Sequence, residues 1–222
     1  MHAKSGLRVV LKWKIYRPDS VIAAVITLES MSTQIERVVQ KLERHRLRRV
    51  NRFDDPGSHP EFGAPLDESA ILEFERKYSI SLPQGFREFL TRVTSGPVGP
   101  GGGLFSLETG ASFQRDSVED DILSVPFPYE MKFTPDEISQ WAELIHKADT
   151  NLISDEDFDR QYSYIASGTI SLCEDCGLIY RLVVTGPTRG MVWTDAEYAD
   201  GGFIPLGLTF LDWYEEWLDR PF

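Results

Sequence analysis

Residues 207–219, GLTFLDWYEEWLD, place Phe210, Trp213, Tyr214, Trp217 and Leu218 at helical spacing on one side and Asp212, Glu215, Glu216 and Asp219 on the other. The pattern is an amphipathic helix. Thr209 stands at the N-cap position, Asp212 follows three residues on as a capping-box acid, and Pro221 stops the helix beyond its end. A helix with this much aromatic surface must dock on something large and apolar, so whatever receives it decides the fold.

Working outward, the residues just before it have strand character. YIASGTISL (164–172), LIYRLVVTG (178–186), GMVWTD (190–195) and GFIPL (202–206) are short, β-branched or aromatic, and separated by turns at Cys176-Gly177, Gly186-Pro187 and Gly201-Gly202. Antiparallel hairpins are the economical arrangement. Farther upstream the period becomes helical. TPDEISQWAELIHKA (134–148) has Thr134 as N-cap, Pro135 at the first helical position and Glu137 closing a capping box, with Ile138, Trp141, Ile145 and Ala148 on one face. SLPQGFREFLTRVTSG (81–96) opens on Pro83, buries Phe86, Phe89, Leu90 and Val93, and ends at Gly96. LDESAILEFERKY (66–78) has Asp67 as N-cap and Ala70, Ile71, Phe74 and Tyr78 as its buried stripe. Between the helices, GPVGPGGG (96–103) leads into LFSLE (104–108), taken as a short strand. Helices first, strands next and one helix last define an α+β domain.

The remaining N-terminal part is a basic extension, residues 1–60, with one helix; residues 61–222 form the domain. From Thr33, Ile35, Val38, Val39 and Leu42 point inward, while Arg37, Lys41, Arg44 and Arg48 form a basic stripe that is solvated or paired with acidic neighbours. A loop with Pro56, Gly57, Pro60, Gly63 and Pro65 follows. GLRVVLKWKIYRPDSVIAAVITLES (6–30) is open to a strand pair, an added helix or a dispensable extension, with Met31 an alternative start.

At 222 residues and 41% hydrophobic content the chain can bury a full core. Residues 1–52 carry a net charge of +8 and residues 53–222 carry −20, which together give the −12 of the whole. The acidic body repels nucleic acid and anionic membranes and attracts a basic protein. Its longest uncharged apolar run, VIAAVITL (21–28), is too short to cross a bilayer. Two cysteines make no disulfide framework, and a cytoplasmic location is expected.

Taken in order, LPQGFREFL with its Gly-rich turn and GLFSL, SGTISLCEDCGLIYRLVVTGPTRGMVW, and TFLDWYEEWLD resemble the SUKH superfamily, which includes the fungal Smi and Knr regulators of cell-wall synthesis and many bacterial immunity proteins. The resemblance spans roughly Leu66 to Asp219. It implies a mainly antiparallel sheet backed by helices on one face and closed by the C-terminal aromatic helix, with Trp193 in the strand region that helix covers. Phe86, Phe89, Trp193, Phe210, Trp213 and Trp217 are the expected structural core. It further implies binding and neutralisation of a cognate toxin protein, often a nuclease, without catalysis or cofactor. The alternative is a regulatory interaction module like the fungal members. Neither reading supplies an oligomeric state.

Other motifs carry weaker chemistry. Cys173-Glu174-Asp175-Cys176 is a C-x-x-C with no second ligand pair for zinc, so it is read as two thiols flanking a turn. Asp155, Asp157 and Asp159 match the first positions of a calcium loop, but Arg160 and Ala166 stand where that loop needs Gly and Glu, so SDEDFDR (154–160) is read as a solvated or partner-facing acidic loop. GPVGPGGG lacks the Gly-Lys-Ser/Thr ending of a phosphate loop and is read as a connector. His2, His45, His59 and His146 form no H-E-x-x-H, so no metal or catalytic residue is assigned. The candidate partner-binding residues are two acidic clusters, Glu119, Asp120 and Asp121, and Asp155, Glu156, Asp157 and Asp159, which could steer a basic toxin.

Overall fold

The computed structural model describes residues 33–45, 63–113, 120–196 and 202–220. Helix α1 covers residues 33–45. It is followed by α2 (Glu68–Lys77), α3 (Gln84–Arg92), α4 (Leu107–Ser112), a 3-10 turn (Asp120–Leu123), α5 (Pro135–Asp149) and α6 (Asp155–Ile165). The strands β1 (Thr169–Asp175), β2 (Leu178–Val183), β3 (Met191–Ala196) and β4 (Gly202–Thr209) then pair antiparallel in chain order, and α7 (Phe210–Asp219) closes the chain. The architecture is α+β with an antiparallel sheet and a C-terminal aromatic helix.

Local chemistry explains where the elements begin and turn. Thr134 and Glu137 form a reciprocal capping box at the start of α5, with Pro135 in its first turn. The Thr134 backbone bond, and secondarily its hydroxyl, hold the Glu137 carboxyl below its ordinary pKa. The Thr209 hydroxyl accepts from the Asp212 amide, so α7 starts directly at the last residue of β4. Cys176 and Gly177 join β1 to β2 at φ 52° and 79°, the paired positive values of a tight hairpin turn. Asp67 sits at the N-cap of α2 but makes no side-chain cap bond, and Ala70 is exposed; Ile71 and Phe74 carry the contact instead.

Strand alternation divides the interior into two clusters. Ile170, Leu182, Val184 and Val192 face the larger one with apolar residues of α1, α2, α3, α4 and α7. Val183, Trp193 and Phe203 face the smaller one with Trp141 and Leu144 of α5 and Tyr162 of α6. The helical cover expected on one face is present, and α5 and α6 cover the other face as well. Trp193 is fully buried on that second face, 5.0 Å from the Phe127 ring, so α7 does not cover it. The cause is its odd position in β3: it shares a face with Asp195, while Val192 points toward α7. A bulge at Leu172 puts both Leu172 and Cys173 into the larger cluster.

The C-terminal helix docks through aromatic edges. Phe210 lies 4.7 Å from Phe86 and 5.0 Å from Phe89, and Tyr214 lies 4.7 Å from Phe89. Trp213 rests 5.4 Å from Tyr180 of β2. Burial raises the Tyr214 phenol pKa, and its hydroxyl donates to the Val98 carbonyl at 3.0 Å. Trp217 is only partly buried, between His45 and Tyr214.

Two local readings change. LFSLE is not a strand: Ser106 caps the short helix α4 by accepting from the Thr109 amide, and only the Phe105 amide, donating to Leu172 at 2.7 Å, pairs with the sheet edge. YIASGTISL begins in α6, and its strand starts at Thr169. Helix α1 packs on the domain through Ile35, Val38 and Leu42, which are 1%, 0% and 5% exposed within the larger cluster. Residues 1–32, with Met31 and the 6–30 stretch, lie outside the described residues, as does Arg48.

Candidate partner-binding surface

The acidic run SDEDFDR is the start of α6, not a loop. Ser154 caps the helix by accepting from the Asp157 amide, and Asp155, Glu156 and Asp157 occupy the first turn, where negative charge complements the helix dipole. Asp155 and Glu156 are exposed, and among the described residues neither has a cationic partner. Asp157 pairs with Arg160 at 2.9 Å, and Asp159 is half-buried. The signal for this helix was Phe158, Tyr162 and Ile165 at spacings of four and three behind a serine cap.

The other acidic cluster lies elsewhere. Glu119 is outside the described residues; Asp120 and Asp121 belong to the 3-10 turn, and Asp121 is exposed. That turn abuts the far end of α6, where the Gly168 amide donates to the Ile122 carbonyl at 3.1 Å. An 11-residue helix spans roughly 16 Å, so the two clusters sit at opposite ends of α6 and do not form one patch.

Three of the four acids of α7 are already engaged, and Glu216 is exposed. Arg37 reaches Glu215 at 3.1 Å, Lys41 reaches Glu215 at 2.9 Å and Asp219 at 2.5 Å, and Gln34 donates to Asp212 at 2.7 Å. Burial works against the Glu215 carboxylate, yet the bonds from Arg37 and Lys41 outweigh it and hold its pKa low. Arg37 and Lys41 of the basic stripe thus find their acidic neighbours within the chain.

A groove of about 530 Å³ opens where the Gly/Pro loop meets the β1–β2 hairpin. Pro97, Leu104, Phe105, Ser106, Thr109, Glu174 and Cys176 line it, with Gly102 and Gly103. The glycines serve close approach: Gly101, at φ +56°, would bring a Cβ within 2.0 Å of the Glu174 carbonyl, and Gly103, at φ +102°, within 1.7 Å of the Pro97 carbonyl. Phe105 stacks on Phe113 at 4.7 Å and remains half-exposed, and Glu174 is exposed. Sequence reading flagged the loop and the hairpin separately and missed Phe105, Ser106, Thr109 and Glu174, because only backbone pairing across the fold brings them together.

Behind the second face lies a buried ionic group. Arg181 and Asp195 are both fully buried and pair at 2.9 Å; Arg181 also donates to Ser171 at 3.0 Å and to the Tyr162 hydroxyl, which donates to Asp195. Burial opposes the Arg181 charge, but Tyr162 and Asp195 prevail and its pKa rises. One Asp195 oxygen has no hydrogen-bond partner. With no opening to solvent around these side chains, the group ties α6 to β1, β2 and β3.

The remaining motifs separate in space. Cys173 is buried, its thiol pushed up to about 12 by burial and then by Asp175, whereas Cys176 is exposed at the hairpin tip. Hydrogen bonding to Asp175, and then the charge of that residue, raises the Cys176 pKa as well. His45 is buried beside Trp217 at 4.7 Å, His146 is exposed near the end of α5, and His2 and His59 lie outside the described residues. Among the described residues no group of three or more His, Cys, Asp or Glu is placed to hold a metal ion. Among them, too, no helix is long and apolar enough to cross a membrane.

A family model described as SMI1 / KNR4 family (SUKH-1) matches residues 65–216, more than half of the chain. The match takes in the groove, the sheet and most of α7, and leaves α1 outside. No curated protein and no solved structure matches significantly.

Proposed function

The chain belongs to the SMI1/KNR4 family (SUKH-1), and from that membership we propose that it is a non-enzymatic immunity protein that binds and neutralises a cognate toxin in the cytoplasm. The toxin is a basic, nuclease-type effector. Such an enzyme needs a positive surface for phosphate, and an acidic inhibitor can be steered to that surface and occupy it. The observation that carries the reading is the −20 charge of residues 53–222, part of which stands exposed at Asp155 and Glu156 with no cationic partner among the described residues. On a rigid helix start these carboxylates present a fixed negative potential, and the body as a whole disfavours nucleic acid as a direct partner.

Co-expression with candidate toxin domains tests the proposal. Restored growth, together with co-purification of one toxin and loss of its nuclease activity in the complex, is the expected result. Stable complexes that leave every toxin active would contradict neutralisation and favour a regulatory interaction module.

A further inference from the structure

We propose that the groove between the Gly/Pro loop and the β1–β2 hairpin receives an arginine-bearing segment of the protein partner; this rests on the binding reading above and names where the contact is made. The groove combines the groups a guanidinium requires. Phe105 supplies an aromatic face, fixed from behind by its stack on Phe113 at 4.7 Å. A planar cation lies over such a face with attraction that grows as water is excluded. Glu174 supplies a carboxylate from the hairpin, and carboxylates accept the paired N–H groups of arginine in a fork. The Ser106 and Thr109 hydroxyls, 2.9 Å apart, complete the wall with further acceptors.

Charge selects the occupant. Among the described residues no lysine or arginine lines the groove, and Asp175 on the hairpin and Glu108 on the exposed side of α4 add negative potential nearby. Geometry keeps the elements together: the Phe105 amide donates to Leu172, Gly101 allows the loop to press on the hairpin where any side chain would collide, and Gly103 allows the loop to fold against its own Pro97. A preformed site of this kind loses little freedom on binding. The acidic turn of α6 has no such aromatic wall, so its role is attraction at a distance and the role of the groove is contact.

The test uses the full chain and a short capped peptide of alternating glycine and arginine, with a citrulline peptide of the same length as its uncharged isostere. Amide shifts followed by NMR should move at residues 102–109 and 174–177 for the arginine peptide and stay still for citrulline. Glu174→Gln, an exposed substitution that leaves the fold intact, should weaken the arginine peptide about tenfold, the scale of one charge-assisted hydrogen bond. Phe105→Ala should weaken it about threefold. Equal binding of the citrulline peptide, or shifts centred on the start of α6, or an unchanged affinity in Glu174→Gln, would each overturn the proposal. Because no toxin is used, failure here leaves neutralisation to its own co-expression test, and failure there leaves the groove to this one.

Discussion

Helices α6 and α7 are both acidic, and the fold treats their charges in opposite ways. On α7, Glu215 and Asp219 are met by Arg37 and Lys41 of α1, so most of the negative face closes within the chain and Glu216 is left exposed. On α6, Asp155 and Glu156 crowd the first turn with no cation opposite them among the described residues. Composition alone makes the two runs equivalent; the docking of α1 decides which one is left to attract a partner. An acidic stretch is therefore informative about binding only after the basic segments of the same chain have been placed.

The strongest way to break the contrast is to undock α1. Val38 is fully buried against the larger cluster, so Val38→Asp should cost more than about 3 kcal/mol by burying an unpaired charge. Thermal unfolding reads the loss, and a native melting curve would mean that α1 does not hold α7. Trp217→Ala should cost less, about 1–3 kcal/mol, because the indole is only partly buried against His45 and Tyr214.

Glu215→Gln sharpens the comparison at a smaller scale. With side-chain exposures of 14% for Glu215 and 53% and 20% for Arg37 and Lys41, solvent screening limits the expected loss at neutral pH to about 0.5–1 kcal/mol. The folded-state pKa of Glu215 is depressed, so its contribution is present above the unfolded carboxylate pKa and disappears as pH falls through the folded value. Denaturant titrations of native protein and variant should accordingly converge in acid. A gap that widens there would contradict the ion-pair account.

The smallest effect concerns the thiols. One equivalent of thiol should react in the native state, at Cys176, and a second, Cys173, only after unfolding. Asp175→Asn should speed labelling of Cys176 near neutral pH, since the aspartate now holds that thiol protonated. Two equivalents reacting at once in the native protein would show that the hairpin packs differently.

What the sequence made legible follows from the range of the interactions. The capping box of α5, the aromatic stripe of α7 and the Cys176-Gly177 turn are each written in consecutive residues, and each stands as expected. Helix α4 is six residues long, too short to show a period, and its LFSLE start mimics a strand. Helix α6 was hidden by its own charge, which looks like a solvated loop until the serine cap and the Phe158, Tyr162 spacing are weighed. The face occupied by Trp193 depends on strand alternation and on which helices reach each side of the sheet, and neither is local. The groove was least legible, because residues 97–109 and 174–176 become neighbours through the pairing of Phe105 with Leu172 and of Gly102 with Glu174, far apart in the chain.

Asp155 and Glu156 of α6, without a cationic partner among the described residues, carry the proposed attraction. Its most direct test is the association rate with the cognate toxin, measured across ionic strength for the native protein and for the Asp155→Lys, Glu156→Lys double variant, with melting curves as a control for the loss of up to about 1 kcal/mol per site expected at a helix start. The double variant should associate more slowly at low salt and approach the native rate as salt screens the surface, because exposed charges act mainly through steering. Equal rates and equal salt dependence in the two proteins would contradict the claim that this turn attracts the partner.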